Sequence, residues 1–311
     1  MNLQNRAVES ADDHIINVYD WCPKGDSSPS AVVQVLHGLG EHAARYERFA
    51  KACNDNNLIV VAHDHRGHGA IEGFGHYADA DGWSKVIADV LHVRQDIAVQ
   101  YPKLPVVLFG HSMGSYIAQS FVMRHGGNNV ALVLSASTLA PRIELRMGNV
   151  AARSAAILFG KRRISNQLNK MGLGKLNNKF KPNRTAFDWL SRDEDEVDRY
   201  VCDPLCGGQY SNQLWSDLTG GMLEITSQKA IESVRADLPI LILGGERDPV
   251  GGQKGLTRLT DAYRQTGHND LTLKIYPGGR HEMLNETNRD EVTDHIIGWI
   301  HSRLKPSSPA I

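Results

Sequence analysis

The chain has 311 residues, of which 41% are hydrophobic and 22% are charged. These fractions are ordinary for a folded globular protein and exclude a chain that is disordered over most of its length. The 34 Lys and Arg residues are balanced by 35 Asp and Glu residues, which gives a formal net charge of −1. Because a protein that mainly binds nucleic acid needs a basic surplus or a basic stripe, we expect no nucleic-acid partner.

The four cysteines are too few for a disulfide scaffold and form no Cys-x-x-Cys pair. Cys202 and Cys206 are four residues apart, but two ligands do not make a zinc site. The first residues contain no apolar leader pattern, and no stretch approaches the roughly 18 uncharged apolar residues of a membrane-spanning helix. We therefore expect a cytoplasmic protein.

Short apolar runs rich in β-branched residues recur along the chain and predict strands. Several are apolar at nearly every position, which is typical of strands buried on both faces of a mainly parallel sheet. The predicted strands are residues 14–19, 31–36, 58–63, 105–110, 130–135, 239–245 and 271–276.

Longer segments with apolar residues at helical spacing separate these runs. The predicted helices cover residues 41–56, 81–101, 112–125 and a C-terminal stripe at 292–304. The alternation of strand and helix predicts the α/β class, with a mostly parallel, doubly wound sheet. The sequence Pro-Ser-Ser-Pro at 306–309 predicts a frayed tail.

Residues 138–237 interrupt this alternation because they contain no strand pattern. Helical patterns occur there at 150–159, 192–201 and 223–234. Such a segment is too long for an ordinary crossover between neighbouring strands.

We therefore expect an inserted helical cap at 138–237, between a first core part at 1–137 and a second core part at 238–311. A decorative insertion is the alternative, but a lid over a site fits the length better.

The sharpest local motif is Gly110-His111-Ser112-Met113-Gly114, a G-x-S-x-G sequence. It follows a predicted strand and opens a predicted helix, which is the setting of a nucleophilic serine on a tight strand-to-helix turn. The glycines leave room for the strained backbone, and the helix N-terminus supplies free N–H groups. The alternative is a glycine-flanked turn without reactivity, and the flanking strand and helix favour the nucleophile.

A nucleophilic serine needs a base and an acid that orients the base. Asp248 and His281 each lie in a loop directly after a predicted strand. Because parallel strands present their C-terminal ends at one edge of the sheet, we expect both side chains to meet Ser112 there. The order Ser, Asp, His is also the one used by this architecture. Glu246 is the reserve acid.

Stabilising an oxyanion takes two N–H donors. The backbone N–H of Met113, the residue after the serine, is the first candidate. The second is the backbone N–H of Leu39, in the glycine-flanked turn at 37–40 that follows the strand at 31–36. The alternative for this segment is a tight glycine turn and nothing more.

Residues 63–68 have the sequence His-Asp-His-Arg-Gly-His, whose three histidines suggest a zinc-dependent hydrolase as an alternative. Gly67 replaces the acidic residue expected before the last histidine, and no second set of ligands is evident. We therefore interpret the segment as a turn in which Asp64 and Arg66 fix neighbouring loops. We expect no metal at this turn or elsewhere in the chain, and we interpret Cys202 and Cys206 as ordinary thiols.

Four ordered features carry a resemblance to a known family: His37-Gly-Leu-Gly-Glu-His42 with Arg45-Tyr46, Asp64-His-Arg-Gly-His-Gly69, Gly110-His-Ser-Met-Gly114, and the loops of Asp248 and His281. From about residue 14 to 304 the chain resembles the monoacylglycerol lipase and lysophospholipase branch of the α/β-hydrolase superfamily, within the serine aminopeptidase S33-type hydrolases. The resemblance implies the α/β-hydrolase fold with a helical cap.

By the same resemblance, Ser112 is the nucleophile, Asp248 and His281 are its partners, and the Leu39 and Met113 amides form the oxyanion hole. We therefore expect a serine ester hydrolase that needs no cofactor. The expected substrates are small-molecule acyl esters with one acyl chain, such as monoacylglycerols or lysophospholipids.

Two other functions stay open at this point. An amidase, peptidase or thioesterase would use the same triad, and the sequence does not separate these bonds. A ligand-binding protein with this fold but no activity is disfavoured because all three triad residues are present.

Within the cap, residues 150–159 either line an acyl pocket or pack inside the cap. The basic residues 161–163 either meet a lipid surface transiently or face solvent, and the oligomeric state is left open.

Overall fold

Eight strands form the centre of the molecule. The computed structural model describes residues 1–25, 28–70, 75–126 and 129–304, so the predicted tail at 306–309 lies outside the described residues. The strands are β1 (Asn2–Glu9), β2 (Ile15–Cys22), β3 (Ala31–Leu36), β4 (Leu58–His63), β5 (Val106–His111), β6 (Asn129–Ser135), β7 (Ile240–Gly245) and β8 (Leu271–Tyr276).

Helices connect most of these strands. The α-helices of the described residues are α1 (Glu47–Asp55), α2 (Gly82–Gln100), α3 (Met113–His125), α4 (Arg142–Phe159), α5 (Asn166–Gly172), α6 (Glu194–Cys202), α7 (Asn212–Ile225), α8 (Gln228–Glu232), α9 (Gly252–Gln265) and α10 (Arg289–Arg303). Short 3-10 helices cover Ala43–Tyr46, Leu176–Phe180 and Met283–Asn285. Within the described part of the chain, no helix is both long enough and apolar enough to cross a membrane.

The strands form one sheet in the order β1-β2-β4-β3-β5-β6-β7-β8. The six strands from β3 to β8 are parallel, whereas β2 is antiparallel to both β1 and β4. The predicted α/β class with a mostly parallel sheet is therefore confirmed. The carboxyl ends of the parallel strands share one edge, and the loops that carry the predicted site residues leave the sheet there.

Both faces of the sheet are covered, which explains why the parallel strands have almost continuous apolar sequences. On one face, Phe109 of β5 packs in the same core as Phe49 of α1 and Trp299 of α10. On the other face, Leu108 packs in the same core as Ile117 of α3 and residues of α2 and α9. Successive residues of β5 thus serve two separate apolar layers.

The sequence analysis missed the strand β1, the helices α5 and α9 and most of α7, and one helix is shorter than predicted. The polar strand β1 is mostly exposed and is held by its antiparallel ladder with β2, so it has little apolar pattern to detect. Helix α9 was not predicted. The predicted helix at 41–56 divides into a 3-10 turn at Ala43–Tyr46 and the α-helix α1.

Helices α4 to α8 occupy the segment between β6 and β7 that was predicted as an insertion. Helix α4 packs on α7, and α7 packs in turn on α2 and α3 of the core. In the described residues of this segment, the pairing detected is an isolated bridge between Ile164 and Ser211. The absence of a strand pattern at 138–237 thus agrees with the helical structure found there.

The turn after β4 fixes neighbouring loops as predicted. The Asp64 carboxylate accepts hydrogen bonds from the Ala43 N–H (2.8 Å) and the Asn17 side chain (2.9 Å). The Arg66 guanidinium binds the carboxylates of Asp12 and Asp89. These bonds join the loop after β3, the strand β2 and the helix α2 to one turn.

Four histidines at this edge of the sheet are fully buried and pack against one another. The ring centroids of His37 and His65 are 4.3 Å apart, those of His63 and His65 are 4.8 Å apart, and those of His37 and His68 are 5.3 Å apart. Burial lowers the pKa of His63 to about 3 and the pKa of His68 to about 4. Burial also holds the pKa of His37 and His65 well below the usual value.

This cluster predicts acid sensitivity of the fold. The unfolded chain binds protons at these imidazoles near pH 6.5, whereas the folded chain does not. The contribution of these histidines to the free energy of unfolding is therefore complete above about pH 6.5 and is lost as the pH falls. At pH 5.5 the free energy of unfolding is lower by about 1 kcal/mol for each such histidine. Denaturant unfolding between pH 8 and pH 5 measures this loss.

The free energy of unfolding should depend less steeply on pH in the variant His63→Leu, because about one proton fewer is taken up on unfolding. Replacing the exposed His301 by Gln is the matched control. A free energy of unfolding that stays constant from pH 7.5 to pH 5.5 would contradict the prediction.

Candidate active site

Ser112 stands between β5 and α3 in a backbone conformation that residues with a side chain rarely adopt (φ 51°, ψ −119°). The motif glycines make this turn possible. A Cβ on Gly110 would lie 2.4 Å from the Gly114 carbonyl oxygen, and one on Gly114 would lie 2.0 Å from the Leu36 carbonyl oxygen. The Ser112 N–H donates to the Ser135 carbonyl of β6 (2.9 Å). The serine is thereby held at the carboxyl edge of the sheet, at the N-terminus of α3.

Asp248 and His281 are brought together, as the sequence analysis predicted. Asp248 follows β7, and His281 follows β8. The Nδ1 atom of His281 lies 2.9 Å from Oδ2 of Asp248, and both residues are buried. The second oxygen of Asp248 accepts the Val250 N–H (2.9 Å). The carboxylate is therefore fixed from both sides, and it fixes the imidazole in turn. Glu246, the reserve acid, instead accepts the N–H of Gly278 at an exposed position.

Ser112 and His281 line a common cavity of about 710 Å³. Leu39 and Met113, the two residues predicted to offer backbone N–H groups, line the same cavity. Asp248 lies behind His281. The volume lies within the range of small-molecule binding sites.

The walls of the cavity come mainly from the segment between β6 and β7. The aromatic and aliphatic side chains among them are Leu173, Leu176, Phe187, Trp189, Leu190, Tyr200, Tyr210, Trp215, Leu218 and Met222. Polar groups of Asn166, Lys170 and Gln209 also line the cavity. The cavity thus combines a large apolar wall with a few polar groups.

Two further rings pack around the imidazole of His281. The Trp189 ring lies 4.9 Å from the His281 ring, and the His111 ring lies 5.0 Å from it. Sequence analysis did not assign a role to either ring. His111 was visible as part of the G-x-S-x-G motif, whereas nothing in the sequence connected Trp189 to a histidine that lies far along the chain.

A buried charge network joins the loop of Leu39 to the loop of His281. Glu41 accepts the N–H of Gly38 (2.6 Å), the hydroxyl of Tyr46 (3.0 Å) and one N–H of Arg45 (2.8 Å). Arg45 also binds Glu282 through two parallel hydrogen bonds of 2.8 and 2.7 Å. Glu41, Arg45 and Tyr46 belong to the first motif of the resemblance, whereas the signal for Glu282 in the sequence was its position directly after His281.

Two carboxylates share the single positive charge of Arg45 in this network. Burial opposes ionisation of Glu282, but the bidentate Arg45 outweighs it and holds the pKa of Glu282 well below its usual range. Burial raises the pKa of Glu41, which has one bond to the same guanidinium. The network therefore has a surplus of negative charge when both carboxylates are ionised.

This charge acts on His281. Burial alone would lower the pKa of His281, but the charge and hydrogen bond of Asp248 outweigh burial, and the charges of Glu282 and Glu41 add to them. The pKa of His281 is raised as a result. The site thus favours the protonated imidazolium more than burial alone would allow.

One group of three potential metal ligands converges within the described residues, and it lies outside this cavity. It consists of His42, Asp203 and Cys206. The three histidines of residues 63–68, which suggested a zinc alternative, pack as rings in the core instead.

Comparisons with known proteins agree with this geometry. A family model described as serine aminopeptidase, S33, matches residues 27–288. The chain belongs to this family. A monoacylglycerol lipase from Mycolicibacterium smegmatis is 30% identical over 289 residues, which cover 92% of this chain and 93% of that protein. The monoglyceride lipase of Homo sapiens is 29% identical over 295 residues, which cover 93% of this chain and 88% of that protein.

A solved structure supports the same conclusion. The thermostable carboxyl esterase from Bacillus coagulans, in complex with glycerol, superposes with a TM-score of 0.90 at 28% identity over 98% of this chain and 100% of that chain. The α/β-hydrolase fold and the family that the sequence motifs resemble are therefore confirmed. The chain is an enzyme of the ester-hydrolase class.

The charge network makes a prediction about the titration of His281. In Glu282→Gln one of the two hydrogen bonds from Arg45, the bond to the remaining side-chain oxygen, can persist while one negative charge is lost, so the pKa of His281 should fall. Titration of the imidazole nitrogens by NMR measures this pKa.

Glu194→Gln is the matched control, because it removes the same charge from an exposed position of α6. The control should leave the pKa of His281 unchanged. An equal pKa in wild type and Glu282→Gln would mean that Arg45 fully cancels the charge of Glu282.

Proposed function

We propose that the chain is a serine ester hydrolase that works through an acyl-enzyme, needs no cofactor and cleaves esters with one acyl chain on a small alcohol. The observation that carries this proposal is the buried His281–Asp248 pair, which faces the same cavity as the strained Ser112. The names of the relatives, monoacylglycerol lipase and monoglyceride lipase, support an acylglycerol as the substrate.

In the first half-reaction, the Oγ of Ser112 attacks the ester carbonyl carbon. With the Nδ1–H of His281 directed to Asp248, Nε2 is the nitrogen that takes the serine proton. The negative charge on the former carbonyl oxygen is stabilised by the backbone N–H groups of Leu39 and Met113. His281 then gives its proton to the leaving alcohol, and the acyl group stays on the serine.

In the second half-reaction, Nε2 of His281 accepts a proton from water as the water attacks the acyl-enzyme. Collapse of this second tetrahedral intermediate releases the fatty acid and returns the proton to Ser112. In both halves the imidazolium is stabilised by Asp248, and the carboxylate surplus of the Glu41–Arg45–Glu282 network adds to this effect.

The apolar wall of the cavity is suited to an acyl chain, and we propose residues 138–237 as the cap that supplies it. A single alkyl chain and a small alcohol fit a volume of about 710 Å³. The polar side chains of Asn166, Lys170 and Gln209 can receive the alcohol group.

The outer surface of the cap suits transient contact with a lipid surface. Six large apolar side chains of α4 are between 62% and 79% exposed, namely Ile143, Met147, Val150, Ile157, Leu158 and Phe159. Exposed apolar groups in such number mark an interaction site. The basic residues beside them are engaged within the chain: Lys161 and Arg162 bind Asp79, and Arg163 lies over the Phe159 ring. A cytoplasmic location stays a prediction.

Ser112→Ala should lower turnover of a monoacylglycerol by several orders of magnitude, because it removes the nucleophile while the fold is kept. The measurement is hydrolysis of monoacylglycerols and p-nitrophenyl esters of increasing acyl length. Ser233→Ala, at an exposed position outside the cavity, is the matched control. A fluorophosphonate probe should label the wild type and the control but not Ser112→Ala.

The acyl-length series separates the remaining possibilities. A preference for medium or long monoacylglycerols supports the acyl cavity, whereas activity on short esters alone indicates a general carboxylesterase. Wild-type turnover in Ser112→Ala would refute the assignment of the nucleophile. Because the matched family is described as an aminopeptidase, ester, thioester and amide substrates with the same acyl group should be compared, and we expect the ester to react fastest.

Replacing Ile157, Leu158 and Phe159 together by Gln should weaken binding to phospholipid vesicles, since it removes exposed apolar area from the end of α4. Turnover of a short water-soluble ester should stay unchanged. The matched control replaces the exposed polar residues Lys254 and Arg258 of α9 by Gln. Equal vesicle binding by wild type and the triple variant would place the lipid contact elsewhere.

A further inference from the structure

Three potential metal ligands from distant parts of the chain meet outside the catalytic cavity. His42 ends the loop after β3, whereas Asp203 and Cys206 follow α6. One ligand atom of each residue lies within 4.8 Å of the other two. The Nε2 atom of His42 is 2.8 Å from Oδ2 of Asp203, and the Cys206 thiol lies close enough to the Asp203 carboxylate to interact with it.

The chemistry of this group suits a zinc-type cation. An imidazole nitrogen, a carboxylate oxygen and a thiolate sulfur are the ligand types that Zn²⁺ takes in proteins, and three protein ligands leave a fourth position for water. His42 is more than nine-tenths buried, and within the described residues its Nδ1 atom has no hydrogen-bond partner. The ring is thus directed to Asp203 alone.

A local turn explains only part of this arrangement. The second oxygen of Asp203 accepts the Leu205 N–H (2.8 Å), and the Asp203 carbonyl accepts the Cys206 N–H (3.0 Å). These bonds place the thiol beside the carboxylate. They do not explain why His42, from a loop 161 residues earlier, approaches the same carboxylate.

One cation lies near the group. The Arg45 charge is close enough to Cys206 to interact with the thiol. Its guanidinium is, however, hydrogen-bonded to the carboxylates of Glu41 and Glu282. Because these two carboxylates neutralise Arg45, its charge does not prevent the approach of a divalent cation.

We propose that His42, Asp203 and Cys206 bind a zinc-type divalent cation and that the bound metal fastens the segment after α6 to the loop after β3. On binding, the Cys206 thiol gives its proton to solvent and its sulfur becomes a thiolate ligand. The Gly40 carbonyl in this loop already accepts hydrogen bonds from the Gly207 N–H (2.8 Å) and the Tyr200 hydroxyl (2.7 Å). The metal would reinforce a junction that lies directly beside Leu39.

Zinc alone is the probe for this site. The full-length protein, freed of metal, is titrated with Zn²⁺ in competition with a chromogenic chelator, and we expect one equivalent to bind. Cys206→Ser and Asp203→Asn should each weaken binding by at least about 100-fold. Cys202→Ser is the matched control, because this exposed cysteine is four residues before Cys206 in the sequence and outside the group. It should leave the affinity unchanged.

Cobalt gives a spectroscopic readout of the same ligands. Co²⁺ bound to wild type and Cys202→Ser should show a thiolate-to-metal charge-transfer band that Cys206→Ser lacks. Zinc should also raise the thermal midpoint of wild type but not of Cys206→Ser. Thermal unfolding without metal shows whether each variant folds. If Asp203→Asn does not fold, the result for Cys206→Ser alone decides whether the proposed metal site exists.

The proposal is overturned if zinc fails to bind stoichiometrically, if binding survives Cys206→Ser, or if Cys202→Ser abolishes binding. These readouts do not depend on ester hydrolysis. Failure of the metal site and failure of the proposed function are therefore distinguishable.

Discussion

The close approach of α3 to the end of β3 is the constraint on which the site depends. A Cβ on Gly114 would lie 2.0 Å from the Leu36 carbonyl oxygen, so no side chain fits between the first turn of the helix and the strand. A Cβ on Gly38 would lie 3.3 Å from the Ser112 Cβ. Close packing at these glycines therefore puts the serine turn and the loop after β3 side by side, and it does so before any charge interaction is considered.

Electrostatics then completes an arrangement that packing has positioned. Burying Glu41, Arg45 and Glu282 costs desolvation free energy, which is recovered only because nearly every polar atom is hydrogen-bonded. In return, the loop after β3 and the loop after β8 are joined at a fixed distance. The same network adds negative charge near His281. One set of bonds thus serves both the geometry and the proton affinity of the site.

The sequence was most informative where function depends on the ends of parallel strands. Ser112, Asp248 and His281 were predicted because each follows a strand, and parallel strands end at one edge whatever the rest of the fold does. In the structure, His281 is hydrogen-bonded to Asp248, and Ser112 and His281 line the same cavity. Their catalytic roles stay a prediction, to be tested by substitution.

The features that escaped prediction depend on contacts without a local pattern. The strand β1 is exposed and held by backbone hydrogen bonds, so its side chains carry no alternation. Trp189 reaches His281 from a loop whose sequence has no motif. The partnership of Arg45 with Glu282 spans 237 positions. A single sequence specifies local periodicity well and specifies such distant pairs only through the completed fold.

Side-chain and backbone hydrogen bonds join the segment between β6 and β7 to the core. Gly207 and Tyr200 are bonded to Gly40, and Glu224 of α7 is bonded to Arg124 of α3. These bonds tie two parts of this segment to the core. By contrast, Asn169 of α5 is bonded to the backbone of Ser165 and Tyr210, both within the same segment. Helix α5 and the residue after it supply Asn166, Lys170 and Leu173 to the cavity wall. The part of the wall that carries Asn166 and Lys170 is therefore positioned by bonds within its own segment, whereas the wall at Gly207 and Tyr200 is bonded directly to the loop of Leu39.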